Sequence, residues 1–281
     1  MESTNRRNSI IMISTKAINS PLSIVYPELF SNTKSVAFSN TSDYVDIGSL
    51  SALDATSNVS FSGWCTYDGT AGNGFLNSRY LMASQLSTGP NQGGSGVLHI
   101  QFLNSRGLMF RLFGASFGSF EAYYPKSSLP SFITNGSWFH YAFVYDGNGA
   151  TNSDKIKLYI NGSPVALSFE LFPPDQTGTD FPTTLGTGYV NGKIGGTTND
   201  FRTYEGNIDE FSIFNSSLTQ ADVTSIYGTG VPNDISSLNP SNWWRMGDGD
   251  IYPTLIDHGT NGNDGTMINM TAGSIVSDVS T

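Results

Sequence analysis

The sequence predicts an all-β fold: a two-sheet antiparallel jelly-roll sandwich with one short helix on its C-terminal side. Three observations predict it. Hydrophobic residues fill 38% of 281 positions, enough for a large core, while only 13% of residues are charged. Glycine is abundant, at 31 residues, and clusters of Ser, Thr and Asn recur, as in short strands joined by tight turns. Candidate strands recur at regular spacing along the chain, split by Gly, Asn and Pro clusters.

The elements follow in order. Residues 1–30 read as a polar, irregular N-terminal arm, broken by Pro21 and Pro27. From residue 34 the segments KSVAF, DYVDIG, NVSFSGWCTYD, RYLMASQL, VLHIQFL and GLMFRLFG read as strands, divided by breakers such as GPNQGGSG. SWFHYAFVYD is a long strand. In KIKLYING, Ile156, Leu158 and Ile160 share one face and Lys155, Lys157 and Tyr159 the other. Asn161-Gly162 then supplies a hairpin turn. SLTQADVTSIYGTG is the one helix. Thr219 caps it with Asp222 three residues on, Leu218 and Val223 form a staple, and Gly228 or Gly230 ends it. It is expected to plug an edge or end of the sandwich. The main domain is placed at 31–232, with a C-terminal segment at 233–281.

Charge and composition remove several functions. The net charge of −10 repels phosphate backbones, so nucleic acid is not an expected partner. No run of 18 apolar residues is present, so membrane insertion is not expected. The apolar run Ile10–Ile13 is too short for a signal-peptide core. A single cysteine, Cys65, excludes an internal disulfide, and its apolar strand face marks it as a small buried hydrophobe.

Four segments occur in a telling order: Trp138 to Asp146, Lys157 to Gly162, Gly206 to Phe211, and the Leu218 to Tyr227 helix. Together with SVAFSNTSDYVDIG they resemble the laminin-G-like branch of the concanavalin A-like lectin/glucanase superfamily, over roughly residues 34–230. The resemblance implies two curved antiparallel sheets. The tail, with Trp243-Trp244-Arg245-Met246-Gly247-Asp248, looks like the segment that normally precedes the first strand of such a unit. It is expected to close the same sandwich or to swap onto a neighbouring subunit. It is also similar to proteins of marine bacteriophage virions.

EGNIDEF, residues 205–211, holds three carboxylates. Glucanases of the superfamily alternate their acids on one strand face. Here Asp209 and Glu210 are neighbours and should point to opposite faces, while Glu205 and Asp209 stand about 13 Å apart along a strand. Glycosidase pairs need about 5–9.5 Å. No catalytic residue is therefore assigned: Asp209 is expected to bond a nearby loop and Glu210 to be solvated. Gly114-Ala115-Ser116-Phe117-Gly118 matches a nucleophile elbow but lacks the following helix. His140, inside a strand, reads as structural.

One cofactor, calcium, is a candidate, and the alternative at the same residues is an ordinary polar turn in which Asn and Asp bond their own backbone. The Asp146-Gly147-Asn148-Gly149 loop fails the EF-hand pattern, with Lys157 where its last Glu belongs. Laminin-G-like and pentraxin-like relatives bind calcium through rim loops, which here implies Asn199 and Asp200, joined by Asp68 or Asn73. Trp64 lies among Ser60, Ser62 and Thr66, opposite Cys65; it either stacks on a sugar or packs. Trp64 and Asp200 are the glycan-binding candidates. The N-x-[ST] sequons read as turn chemistry.

The leading reading is a non-catalytic assembly module on a virion surface, a decoration, fibre or tail component. Its partners would be other virion proteins or copies of itself, met through the N-terminal arm. The alternative is a lectin-like module for cell-surface glycan, extracellular or on the virion. A glycoside hydrolase comes third, because its acids are missing.

Overall fold

The computed structural model describes residues 30–40, 42–69, 78–84, 97–114, 118–172, 180–196 and 204–281. The chain begins with β1 (Ser35–Phe38), β2 (Tyr44–Gly48) and β3 (Asn58–Thr66). Four longer strands follow: β4 (Ser78–Ser84), β5 (Val97–Leu103), β6 (Gly107–Gly114) and β7 (Gly118–Pro125). Then come β8 (Trp138–Asp146), a single turn α1 (Asn152–Lys155), β9 (Ile156–Ile160), β10 (Ser163–Val165), β11 (Ser168–Phe172) and β12 (Gly192–Ile194). The last part holds β13 (Gly206–Phe214), α2 (Gln220–Tyr227), β14 (Asn242–Trp244), β15 (Thr254–Leu255), β16 (Gly265–Ile268) and β17 (Ile275–Val276).

Among the described residues these strands form two sheets. The first runs β10-β9-β8-β3-β13-β1-β17, with β14 also on β13. The second runs β11-β7-β6-β5-β4-β12-β2-β16-β15. All pairings are antiparallel, and the order is that of a concanavalin A-like sandwich. Inward residues of both sheets, including Val36, Phe61, Cys65, Ile100, Phe110, Phe143, Leu158 and Ile208, make one core. Burying such side chains contributes about 1.5–3 kcal/mol each before the entropy cost.

The expected turn and helix signals are in place. Asn161 and Gly162 take φ of 48° and 73° between β9 and β10. Thr219 and Asp222 form a reciprocal capping box, and Gly228 closes α2 at φ 59°. The position of α2 differs from expectation. It lies on the outer face of the first sheet, where Val223 and Ile226 pack with Ala142, Val144, Tyr159 and Phe214. Those outward strand residues are apolar, so the sheet needs a cover there. An edge plug would have left them wet.

The C-terminal segment enters both sheets of its own chain. β14 pairs with β13, β17 with β1, and β16 with β2. Trp244 from this segment is fully buried in the main core.

Candidate functional site

Asp209 and Glu210 of EGNIDEF belong to a structural cluster, while Glu205 pairs separately with Arg79. One edge of β13 pairs with β3 throughout. Its other edge pairs first with β1, through Ile208 and Val36, and then with β14, through Phe211 and Trp244. Between those partners the register against β3 shifts, and Glu210 takes φ of 48°. This is a β-bulge. It turns Glu210 away from the main core towards the outer layer, so the expected solvated Glu210 is corrected: only 6% of it is exposed. Glu210 accepts hydrogen bonds from Trp243 Nε1 at 2.5 Å and Arg245 Nε at 3.1 Å. Asp209, with no exposed surface, accepts from Asn32 Nδ2 at 2.9 Å. Asp248 accepts from Thr33 N and Thr33 Oγ1 and lies 3.7 Å from Arg245 Nη2. The Arg245 guanidinium rests on the Phe30 ring, 4.2 Å from its centroid. Two carboxylates, Glu210 and Asp248, thus flank one guanidinium, with Asp209 beside them on β13. Burial raises the pKa of both Asp209 and Glu210, the adjacent charges add to it, and Arg245 opposes it. The cluster fastens residues 30–34 and the C-terminal segment to β13. Its carboxylates are buried.

The other sequence candidates fall as follows. Trp64 is 3% exposed. Its ring stacks on Tyr227 of α2 at 5.6 Å and meets His140 at 5.3 Å. Packing, not sugar stacking, is the role this position allows. His140 Nε2 bonds Ser62 Oγ at 2.8 Å, and burial lowers its pKa to about 3, so it stays neutral. Burial pushes the Cys65 thiol far above its usual range. The Gly114–Gly118 stretch joins two strands, β6 and β7. Asp146 Oδ1 accepts from Asn148 N within its own turn. Asp68 is exposed at the end of β3. Asn73, Asn199 and Asp200 lie outside the described residues.

Asp68 borders the feature that sequence reasoning missed. A cleft of about 370 Å³ opens beside the turn between β5 and β6, lined by Asp68, Asn104, Lys126, Leu129 and Thr134. Tyr67 and Phe102 form its floor, stacked at 4.0 Å and 12°. Lys126 Nζ donates to Asn104 Oδ1 across its mouth. On the far side of the same turn, Arg106 reaches over the outer face of the second sheet. It pairs with Glu170 and lies 3.4 Å from Glu121. Glu121 also meets Arg111 at 3.3 Å, and Tyr123 Oη donates to Glu170 at 2.8 Å. The Arg106 guanidinium stands 5.3 Å over the Tyr123 ring. Register explains this ladder. Arg111 and Glu121 are directly paired across β6 and β7, as are Glu121 and Glu170 across β7 and β11. Like charges opposite each other need the two arginines. Only pairing between distant strands reveals this, which is why the sequence did not signal it.

The cleft and the ladder flank the two sides of the Asn104–Gly107 turn, the cleft with Lys126, Asn104 and Asp68 and the ladder with Arg106, Glu170 and Tyr123. Asp68 is the only carboxylate among the described residues lining the cleft.

A family model described as the concanavalin A-like lectin/glucanases superfamily, of laminin-G type, matches residues 39–224. The chain belongs to that superfamily. Its C-terminal strands lie beyond the matched part. Among solved structures, a candidate carbohydrate-binding protein from Bacteroides ovatus is similar at 17% identity and a TM-score of 0.54, over 89% of this chain and 62% of that one. This chain therefore spans less than two thirds of that protein's length. The sialidase CBM40 of Ruminococcus gnavus, bound to α2,3-sialyllactose, matches at 15% identity and a TM-score of 0.46, over 71% of this chain and 100% of that one. A heptameric SAP-like pentraxin from Limulus polyphemus matches at 12% and 0.44, over 73% and 87%. At these identities the likeness is one of fold. A search of curated proteins finds no match.

Proposed function

We propose that this protein is a lectin-like module that binds glycan at the rim around the Asn104–Gly107 turn and does not cut it. The observation that carries the reading is the cleft with Lys126, Asn104 and Asp68 on one side of this turn and the Arg106–Glu170–Tyr123 ladder on its other side. Sugar hydroxyls both donate and accept. Charged and amide side chains serve both needs, and ring faces take the C–H surfaces. The superfamily and the fold of the Bacteroides ovatus protein support the same reading. Burial of Asp209 and Glu210 supports binding over hydrolysis.

The assembly role on a virion would run through the N-terminal arm, residues 1–30, of which 1–29 lie outside the described residues. None of the relatives named above is a virion protein, so glycan binding leads. Placement on a virion or another extracellular surface belongs to the proposal. No helix among the described residues is long and apolar enough to cross a membrane.

Calcium is carried as a part of this proposal that needs its own test. Of its four expected ligands only Asp68 is described, and among the described residues no group of three His, Cys, Asp or Glu is arranged to hold a metal.

The test is titration of the purified protein with a glycan panel, with calcium and with chelator. Binding is expected to weaken about tenfold in Lys126→Ala and in Arg106→Ala, each losing one or two charge-assisted bonds. Loss of binding on chelation would add calcium through Asp68 and its neighbours. Binding indifferent to both substitutions would remove the rim as the site.

A further inference from the structure

We propose that the opposite end of the sandwich carries a second saccharide site, for one neutral sugar unit, completed by the C-terminal segment; this rests on the lectin reading. β3 runs from Asn58 to Thr66, and the rim follows its last residue. Phe214 of β13 pairs with Ser60, near the start of β3. Just beyond, a cleft of about 240 Å³ opens between the sheets. Ser49, Ser51, Asn215, Asn242, Asn261 and Asn263 line it, with Leu50 and Ala52 as its apolar patch.

Its walls are held before any ligand arrives. Asp257 accepts four hydrogen bonds: Trp243 N at 2.7 Å and Gly259 N at 2.8 Å on one oxygen, Asn242 Nδ2 at 2.7 Å and Asn263 N at 2.8 Å on the other. Asn261 Nδ2 donates to Asn242 Oδ1 at 3.0 Å, and Asn261 N to Ser241 O at 2.8 Å. A Cβ on Gly259 would come within 2.4 Å of Asn242 Cα, so only glycine lets this loop close on β14. On the facing wall, Leu50 N is tied to Tyr189 O at 2.7 Å. A preorganised wall spares the ordering cost of binding. The side-chain amides of Asn215 and Asn263, and Asn261 Oδ1, stay at the exposed surface of this concavity.

The lining chooses the ligand class. Amides and hydroxyls offer donors and acceptors in equal measure, as a polyol needs. No ionisable side chain is among the described lining residues, and Asp257 stands directly behind Asn242. A uronic or sialic acid would bring a carboxylate to a site with no cation and an anion nearby. The volume lies below the roughly 300–1,000 Å³ of drug-sized sites, which suits one sugar unit. The rim and this cleft would thus give one chain two ends of unlike chemistry, able to hold two glycans at once.

The full chain is titrated with galactose, N-acetylglucosamine and glucuronic acid, at low and high salt. The neutral sugars are expected to bind independently of salt, and glucuronic acid not to bind at this end. Asn215→Ala should weaken neutral-sugar binding about tenfold with melting temperature held, and Asn261→Ala, on the opposite wall, should weaken it about tenfold with a lower melting temperature, since it also loses the bond to Asn242. Lys126→Ala should leave it unchanged. Neutral-sugar binding that survives both asparagine variants and disappears in Lys126→Ala would overturn this inference and leave the rim standing. Failure of every sugar to bind, at either end, would overturn it together with the lectin reading.

Discussion

Burial sets the pKa of Asp209 and Glu210 above the values the same groups have in the unfolded chain. The folded state therefore holds more protons than the unfolded one above the ordinary carboxylate range of about 4. Stability must fall as pH rises through that window, opposite to the usual salt-bridged carboxylate. Asp209 Oδ1 and Asn32 Oδ1 are both buried without a hydrogen-bond partner, so a proton on Asp209 supplies a missing donor. Asp209→Asn supplies one permanently. Thermal melts from pH 4 to 8 should show a declining profile for the natural protein and a flatter one for Asp209→Asn. Matching slopes would remove the proton from the account. Arg245→Ala should cost about 3–5 kcal/mol in urea unfolding, because it strands buried carboxylates. The acids themselves were legible in EGNIDEF. Their burial was not, since a positive φ at a glutamate has no compositional signal and the covering residues, Phe30 and Asn32, are far away in sequence.

At the scale of elements, local chemistry was read well and coverage was read poorly. The Thr219–Asp222 capping box and the Asn161-Gly162 turn depend on neighbours in sequence, and both are present. The face that α2 covers depends on β8 and β9, distant strands brought under it by sheet pairing, and Trp64 was judged by its own strand alone. Its strand face looks wet until Tyr227 is laid over Trp64. Thr219→Ala should lower stability by about 1 kcal/mol through the lost cap, with glycan affinity unchanged. Trp64→Ala should cost about 3–5 kcal/mol, the price of a cavity beneath α2. Circular dichroism melts read both. A destabilised Thr219→Ala that also lost glycan binding would tie α2 to the site. The rim escaped the sequence for the same reason: Arg111, Glu121 and Glu170 meet only through the register of three strands.

On the scale of the whole molecule, both sheets depend on the C-terminal strands. Removing residues 233–281 deletes β14 to β17 and uncovers the core around Trp244. The shortened chain should show no cooperative melt. A truncated chain melting like the full one would contradict the pairing of β14, β16 and β17 described above. The same segment supplies Arg245 to the buried cluster and Asn261 to the second cleft, so fold and chemistry share it. The central claim is binding at the rim. Titration of the full chain and of Lys126→Ala with a broad glycan panel tests it most directly. The account predicts measurable binding to at least one glycan, weakened about tenfold by the substitution. A panel in which no glycan binds, or one in which Lys126→Ala binds every ligand as the natural chain does, would contradict it.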